Sequence, residues 1–212
     1  MRPVVNWLCA AAALCLAACA SLEPETEPDS DLSYEARENQ LRAITQWEMR
    51  GRIAVDTGTQ ARQGRFTWWQ DGESLRVVIR GPLGAQSVEI SGDGDLLRLR
   101  ARRETRTLRD PEAQLSELLG WWLPITSLPS WLLGLPDPRF PMEATLVDSA
   151  LLRGLDQRAW TMTYTQYENR GPVVIPSGIT FTHAPLELVV TIDDWVALAD
   201  TSLELDGGRP AQ

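Results

Sequence analysis

Trp47-Glu-Met-Arg-Gly-Arg-Ile-Ala-Val55 places Trp47, Met49, Ile53 and Val55 on one face of an extended chain, with Gly51 between them. Side chains along a strand alternate between two faces, so this spacing reads as a half-buried β-strand. Arg65-Phe-Thr-Trp-Trp-Gln70 repeats the pattern around Phe66 and Trp68. Leu75, Val77 and Ile79 then alternate with Arg76 and Arg80, and the pairs Val88/Ile90 and Leu97/Leu99 continue the series. Asp71-Gly72 and Gly92-Asp93-Gly94 punctuate it as turns. The sum is an antiparallel meander with one apolar face and one arginine-rich wet face.

Before the meander, Ser33 to Gln46 reads as a helix with Leu41 and Ile44 on one face. After it, Asp110-Pro111-Glu112 is a helix start, with Asp110 as cap and Pro111 in the first helical position. Leu115, Leu118 and Leu119 form the apolar face, and Gly120 is the stop. Trp121-Trp122-Leu123-Pro124 follows, then a short apolar helix fenced by prolines, Leu128-Pro-Ser-Trp131-Leu132-Leu-Gly-Leu-Pro136. More strands are expected over Met142 to Val147, Ala159 to Tyr167, Ile179 to His183 and Glu187 to Ile192. The flanking strands alternate instead of running continuously apolar, so the insert is no crossover between parallel strands. The expected fold is mainly β, an antiparallel sheet curled into an open or half barrel whose concave face is covered by the short helices. Trp68, Trp121, Trp122 and Trp131 fall in that interior. The residues alone favour core filling over a ligand cavity, since large aromatics dominate core packing.

The N-terminus carries a different message. Arg2, an apolar run from Val4 to Leu14, and Leu16-Ala-Ala-Cys19 have the layout of a secretory signal peptide. About a dozen apolar residues is too few to span a ~30 Å bilayer core as a helix. The small-small-cysteine ending resembles the bacterial lipobox, which implies that Cys19 is lipidated and begins the mature protein. Residues 1–18 would then be removed, and with Cys9 and Cys15 gone no thiol is left for a disulfide, a metal or nucleophilic catalysis. Residues 19–31 read as a tether, because Leu22 to Asp31 is acidic, holds two prolines and has one large apolar residue. Its reach to Leu32 is at most ~45 Å. One domain is expected over 32–198, followed by a disordered tail, 199–212. Ala20 after the cysteine, in place of a retaining aspartate, points to the outer membrane.

The net charge of −9 and the lack of a long basic stripe make nucleic acid a poor partner. Catalytic signatures are also missing. His183 lies beside Ala184-Pro185 with no second histidine, so no metal site is expected. No G-x-S-x-G, phosphate loop or H-E-x-x-H occurs, and Asp193-Asp194 and Asp93/Asp95 read as solvated turn residues. Neither an enzyme nor a cofactor is expected. The feature left over is Gly81-Pro82-Leu83-Gly84, a tight turn whose tip carries leucine where Asn, Asp or Gly is usual. That leucine is either folded back on the sheet or displayed to solvent.

Taken together, Trp47-x-x-Arg-Gly-Arg-Ile-Ala, Phe66-x-Trp-x-Gln70, Pro82-Leu83-Gly84, Leu119-Gly120 with Pro124, Ser127-Leu128, Trp131-Leu132-x-Gly-Leu-Pro136 and Asp194-Trp195 resemble the LolB family of outer-membrane lipoprotein receptors, from about Tyr34 to Leu198. The tandem Trp121-Trp122 and the extension past Leu198 depart from the family pattern. The resemblance implies a half-closed antiparallel barrel around an apolar cavity, lidded by helices. It implies a monomer that takes acylated lipoproteins from the periplasmic carrier LolA and inserts them into the outer membrane. Matched by position, Leu83 in the Pro82–Gly84 turn is the protruding leucine needed for insertion. The residues expected in an acyl cavity are Trp47, Met49, Phe66, Trp68, Val77, Ile79, Trp121, Trp122, Trp131 and Leu132. Two other classes stay open: a structural or assembly lipoprotein with a solid core, and a cell-envelope hydrolase.

Overall fold

Strands pair in an unusual order in the computed structural model, which describes residues 33–82, 87–147, 150–171 and 173–198. Eleven antiparallel strands form one sheet ordered β6-β5-β4-β3-β2-β1-β11-β10-β9-β8-β7. The first meander is β1 (Gln46–Asp56), β2 (Ala61–Asp71), β3 (Ser74–Arg80), β4 (Ser87–Asp93), β5 (Leu96–Ala101) and β6 (Glu104–Leu108). The second is β7 (Met142–Val147), β8 (Leu151–Gln157), β9 (Trp160–Arg170), β10 (Val173–His183) and β11 (Leu186–Ala197). They join where β11 pairs with β1, which leaves β6 and β7 as the two edges. The expected signal peptide 1–18, the tether 19–31 with Cys19, the tail 199–212, and Leu83 and Gly84 all lie outside the described residues.

Among the described residues three helices accompany the sheet: α1 (Tyr34–Arg42), α2 (Pro111–Leu119) and α3 (Leu128–Leu132). Asp110 caps α2 by accepting from the Ala113 N–H at 3.2 Å, and Gly120 closes it at φ 77°. The α2–α3 insert leaves the chain from one edge strand and re-enters at the other, so it must cross the open side of the sheet. α1 is shorter than its sequence suggested, because Gln46 is taken into β1 opposite Asp71. β6 and β8 were not expected at all. β6 buries only Leu108, so its sequence shows no alternation.

Curvature is built into β1. A bulge opposite β11 falls between Arg50 and Gly51, and a Cβ on Gly51 would sit 2.2 Å from the Thr191 carbonyl oxygen. Only glycine permits that approach, which bends the middle of the sheet. Arg37 then ties α1 to the rest. Its buried guanidinium donates to the carbonyls of Val174 at 3.0 Å, Gly134 at 3.1 Å and Leu133 at 3.0 Å, and lies 5.5 Å from the Tyr167 ring centre.

Gln157, at the end of β8 and 3 % exposed, holds the insert against the sheet. Its Oε1 accepts from Trp131 Nε1 at 2.7 Å and from the Asp137 N–H at 2.8 Å. Its Nε2 donates to the carbonyls of Asp137 at 2.8 Å and Phe140 at 2.9 Å. That uses every donor and acceptor position an amide has. Gln157→Leu leaves those partners buried without one another, so we expect a loss on the order of 3 kcal/mol or more. Thermal melting should show this as a fall of roughly 6–12 °C for a domain of this size.

Candidate functional site

A cavity of ≈ 390 Å³ lies between the concave face of the sheet and the insert. Every residue lining it is apolar. The first meander contributes Phe66, Trp68, Val77 and Ile79, and the insert contributes Trp121 and Leu132 from the far side. Val55, Ile79, Val88 and Ala101 are the inward residues nearest the β1–β2, β3–β4 and β5–β6 connections, so the space reaches that end of the barrel. Leu118 and Leu119 of α2 line it while each remaining 43 % exposed, which marks an open apolar mouth there. Ile79 and Val88 flank the β3–β4 connection, and Arg80 is paired with Ser87 at its base. The Pro82 turn therefore springs from the rim of the mouth.

Of the ten residues expected to face a cavity, the structure gathers Phe66, Trp68, Val77, Ile79, Trp121 and Leu132 around this one. The other four are placed elsewhere. Trp47 and Met49 lie on the inward face as expected but at the opposite end of β1, where the barrel is filled. Trp47 packs on Trp68 with ring centres 6.3 Å apart and shares a crevice with Leu41 of α1 and Leu133. Strand alternation fixes the face of a residue but not its depth along the barrel, which is why these two were misplaced. Trp131 is fully buried, turned toward Gln157, with its ring 6.4 Å from Phe181. Its indole N–H needs an acceptor, and an apolar cavity has none. Trp122 lies under the Arg158 guanidinium at 4.9 Å and edge-on to His183 at 6.2 Å. The sequence reading left the whole second-meander wall, Trp160, Phe181, Leu188 and Val190, off the cavity. The alternation of Phe181, Leu188 and Val190 in β10 and β11 was visible, but the pairing of β11 with β1 that brings this wall opposite the first meander was not.

The insert is fastened at the mouth by charge. Glu112 of α2 forms a two-pronged ion pair with Arg158, at 2.6 and 2.9 Å, and accepts from the Thr126 hydroxyl at 2.6 Å. Arg158 and Ala159 make the two-residue β8–β9 turn, both at positive φ. Such a turn is ordinarily built from Asn-Gly, so neither residue advertised it. Arg158 also reaches Ser127 at 2.8 Å, whose hydroxyl donates to Asp137 at 2.7 Å. The titratable groups considered for chemistry are used otherwise. His183 Nδ1 is 2.8 Å from the Ala159 carbonyl, an acceptor, so this nitrogen carries the proton, and the ring stacks on Trp160 at 5.2 Å. Asp193 binds Arg52, Asp194 lies 4.0 Å from Arg170, and Asp93 accepts from Ser74. Among the described residues no group of three or more His, Cys, Asp or Glu is placed to hold a metal.

Burial pushes the Glu112 carboxyl up, but hydrogen bonds from Arg158 and Thr126 and the Arg158 charge outweigh it and hold the group below its usual value. A depressed folded-state value stabilises the fold above the unfolded-state value, ~4.3 for glutamate, and that contribution is lost as pH falls through the folded value. Melting temperature measured from neutral pH downward should show Glu112→Gln less stable than the natural chain at neutrality, with the gap closing in acid. A gap independent of pH would show that the ion pair contributes nothing.

The chain is similar to known proteins along most of its length. The family model described as "Outer membrane lipoprotein LolB" matches residues 45–195. The outer-membrane lipoprotein LolB of Nitrosococcus oceani is 35% identical over 184 residues, covering 85% of this chain and 91% of that protein. The protein of the same name from Stutzerimonas stutzeri is 27% identical, over 92% of this chain and 97% of its own. Among solved structures, a LolA-superfamily protein from Nitrosomonas europaea superposes with a TM-score of 0.51 at 11% identity, over 79% of this chain and 94% of that one. That likeness is one of fold.

Proposed function

Since the chain belongs to the LolB family of outer-membrane lipoproteins, we propose that it accepts acylated lipoproteins from a LolA-type periplasmic carrier and inserts them into the outer membrane. The observation that carries this reading is the wholly apolar cavity opening beside the Pro82 turn. Cys19 is the lipid attachment site, residues 19–31 are the tether, and the domain works as a monomer facing the periplasm. The acyl chains of the cargo enter past Leu118 and Leu119 toward Phe66, Trp68, Val77 and Ile79. Leu83, which matches the family's insertion leucine by position, is the side chain that meets the bilayer.

Energetics support transfer without catalysis. Each buried CH₂ is worth ~0.8 kcal/mol, so a chain of ~16 carbons represents on the order of 12 kcal/mol. Three such chains fully buried would exceed the practical ceiling of noncovalent affinity, roughly −20 kcal/mol. At roughly 30 Å³ per carbon, about a water molecule's share of liquid, one chain of ~16 carbons takes up about 480 Å³, more than the ≈ 390 Å³ cavity. The rest of a multiply acylated cargo stays outside or requires the insert to lift. Incomplete burial is what lets the cargo leave for a bilayer that buries it fully. Direction then follows from a ladder of affinities, carrier weakest and membrane strongest.

A fatty-acid probe added to the protein should change tryptophan emission, because Trp68, Trp121 and Trp160 all line the cavity. A saturating probe that neither binds nor alters the spectrum would sink the cavity reading. Binding and insertion should separate at Leu83. One leucine moved from water into apolar surroundings is worth ~1.5–3 kcal/mol, enough to bias a turn toward the acyl boundary but not to anchor a domain. Leu83→Glu is expected to take cargo from the carrier normally, deliver it poorly to vesicles, and melt at the natural temperature. Unimpaired delivery would rule out this turn as the membrane-contacting element, and a large fall in melting temperature would mean Leu83 is core.

A further inference from the structure

The outer face of the first meander carries a row of arginines that the cavity does not use. Arg52 stands directly opposite Arg65 across β1 and β2, and Arg65 directly opposite Arg80 across β2 and β3. All three are exposed. Directly opposed residues have Cβ atoms ~4.5–5.5 Å apart, and like charges there work against strand pairing. One end of the row is compensated: Arg52 holds Asp193 at 2.9 and 3.1 Å, and its neighbour Arg50 holds Glu48 at 2.6 Å. Arg65 and Arg80 have no carboxylate within ion-pair distance among the described residues. They border an open groove of ≈ 850 Å³ that runs to Gly81 and Pro82 at the end of β3.

Charge decides what this row can meet. The chain as a whole carries −9 and is repelled by a negative surface, so only a local basic patch can turn toward one. An anionic bilayer surface favours each nearby arginine by roughly fivefold in population. The planar guanidinium also matches phosphate oxygens two at a time. A membrane-tethered protein meets lipid headgroups constantly, and this patch lies on the strand that leads into the rim turn. We propose that Arg65 and Arg80, with Arg52 completing the row, bind the phosphates of anionic lipid headgroups. The contact holds the β3–β4 end of the barrel against the bilayer. This rests on the reading of that end as the membrane-facing one and goes beyond the cavity, since it concerns orientation and not cargo.

The test uses the full lipidated chain in phosphatidylethanolamine vesicles with or without phosphatidylglycerol. Ser87→Cys, exposed at the base of the turn and paired with Arg80, supplies a labelling thiol on this face. Energy transfer from a dye there to a headgroup acceptor reports its closeness to the surface. Phosphatidylglycerol should raise the transfer, and salt should reverse the rise. The Arg65→Gln/Arg80→Gln double variant should lose it, with the surface-facing population falling on the order of twentyfold. Melting of that variant should be unchanged or higher, because no partner is lost and a like-charge contact is relieved. Equal transfer with and without phosphatidylglycerol, or an equal rise in the variant, overturns the proposal. So does an arginine-dependent thermal shift with inorganic phosphate alone while the lipid has no effect, which would make the ligand a soluble anion. A variant that responds to phosphatidylglycerol normally but no longer accepts cargo from the carrier overturns it in favour of an acidic protein surface. Delivery of cargo into vesicles lacking phosphatidylglycerol tests the transfer function separately. Failure there sinks that function, whereas normal delivery with no lipid response sinks the arginine contact alone.

Discussion

One buried amide governs whether this sheet has an inside. The insert joins the two edge strands across the open face, and Gln157 grips it by four hydrogen bonds that reach Trp131, Asp137 and Phe140. A sheet of this size could close on itself or collapse onto its apolar face. The insert stands against collapse, because it sets Leu115, Leu123 and Leu132 opposite the strands across the cavity. Around Gln157, the Ser127–Asp137 bond and the Glu112–Arg158 pair extend the same fastening to the cavity mouth. Polar groups fasten the lid, while its Leu115, Ile125, Trp131 and Leu132 join the apolar core.

The two ends of the barrel are consequently unlike. At the α1 end, Trp47, Met49, Leu41 and Leu133 fill the interior, and Arg37 locks α1 by three carbonyl contacts to β10 and the segment after α3. At the other end the same inward face is left uncovered, with Leu118 and Leu119 half exposed. The turn beginning at Gly81 and Pro82 and the Arg65–Arg80 pair are close to this open end, one at its rim and the other on the outer face behind it. The proposed sites of acyl burial, membrane contact and headgroup contact thus fall at one end of the barrel. The family's outer-membrane placement gives that end a bilayer to face.

Much of this architecture was legible from residue spacing. Alternation identified nine of the eleven strands, the Asp110–Gly120 caps bounded α2, and the prolines fenced α3. β6 escaped because an edge strand exposed on both faces has no apolar period to read. β8 escaped because its turn, Arg158-Ala159, takes a left-handed backbone with no glycine or asparagine to announce it. Trp122 and Trp131 were assigned to the cavity because aromatic residues in an apolar insert carry no directional pattern. Their partners, Arg158 and Gln157, are polar residues distant in sequence.

By itself the sequence determined which residues point inward, because strand periodicity is a local property of the chain. The expected membrane address also lies in the sequence alone, since a lipobox-like ending at Cys19 is a linear motif. Only the tertiary structure decided which inward residues are core and which are cavity. That depends on how far along the barrel the helices reach, and their reach is set by Gln157, Glu112 and Arg37 through contacts spanning 20 to 137 residues of chain. It likewise decided that three arginines on separate strands become one row, since strand register, unlike strand pattern, exists only after the strands have paired.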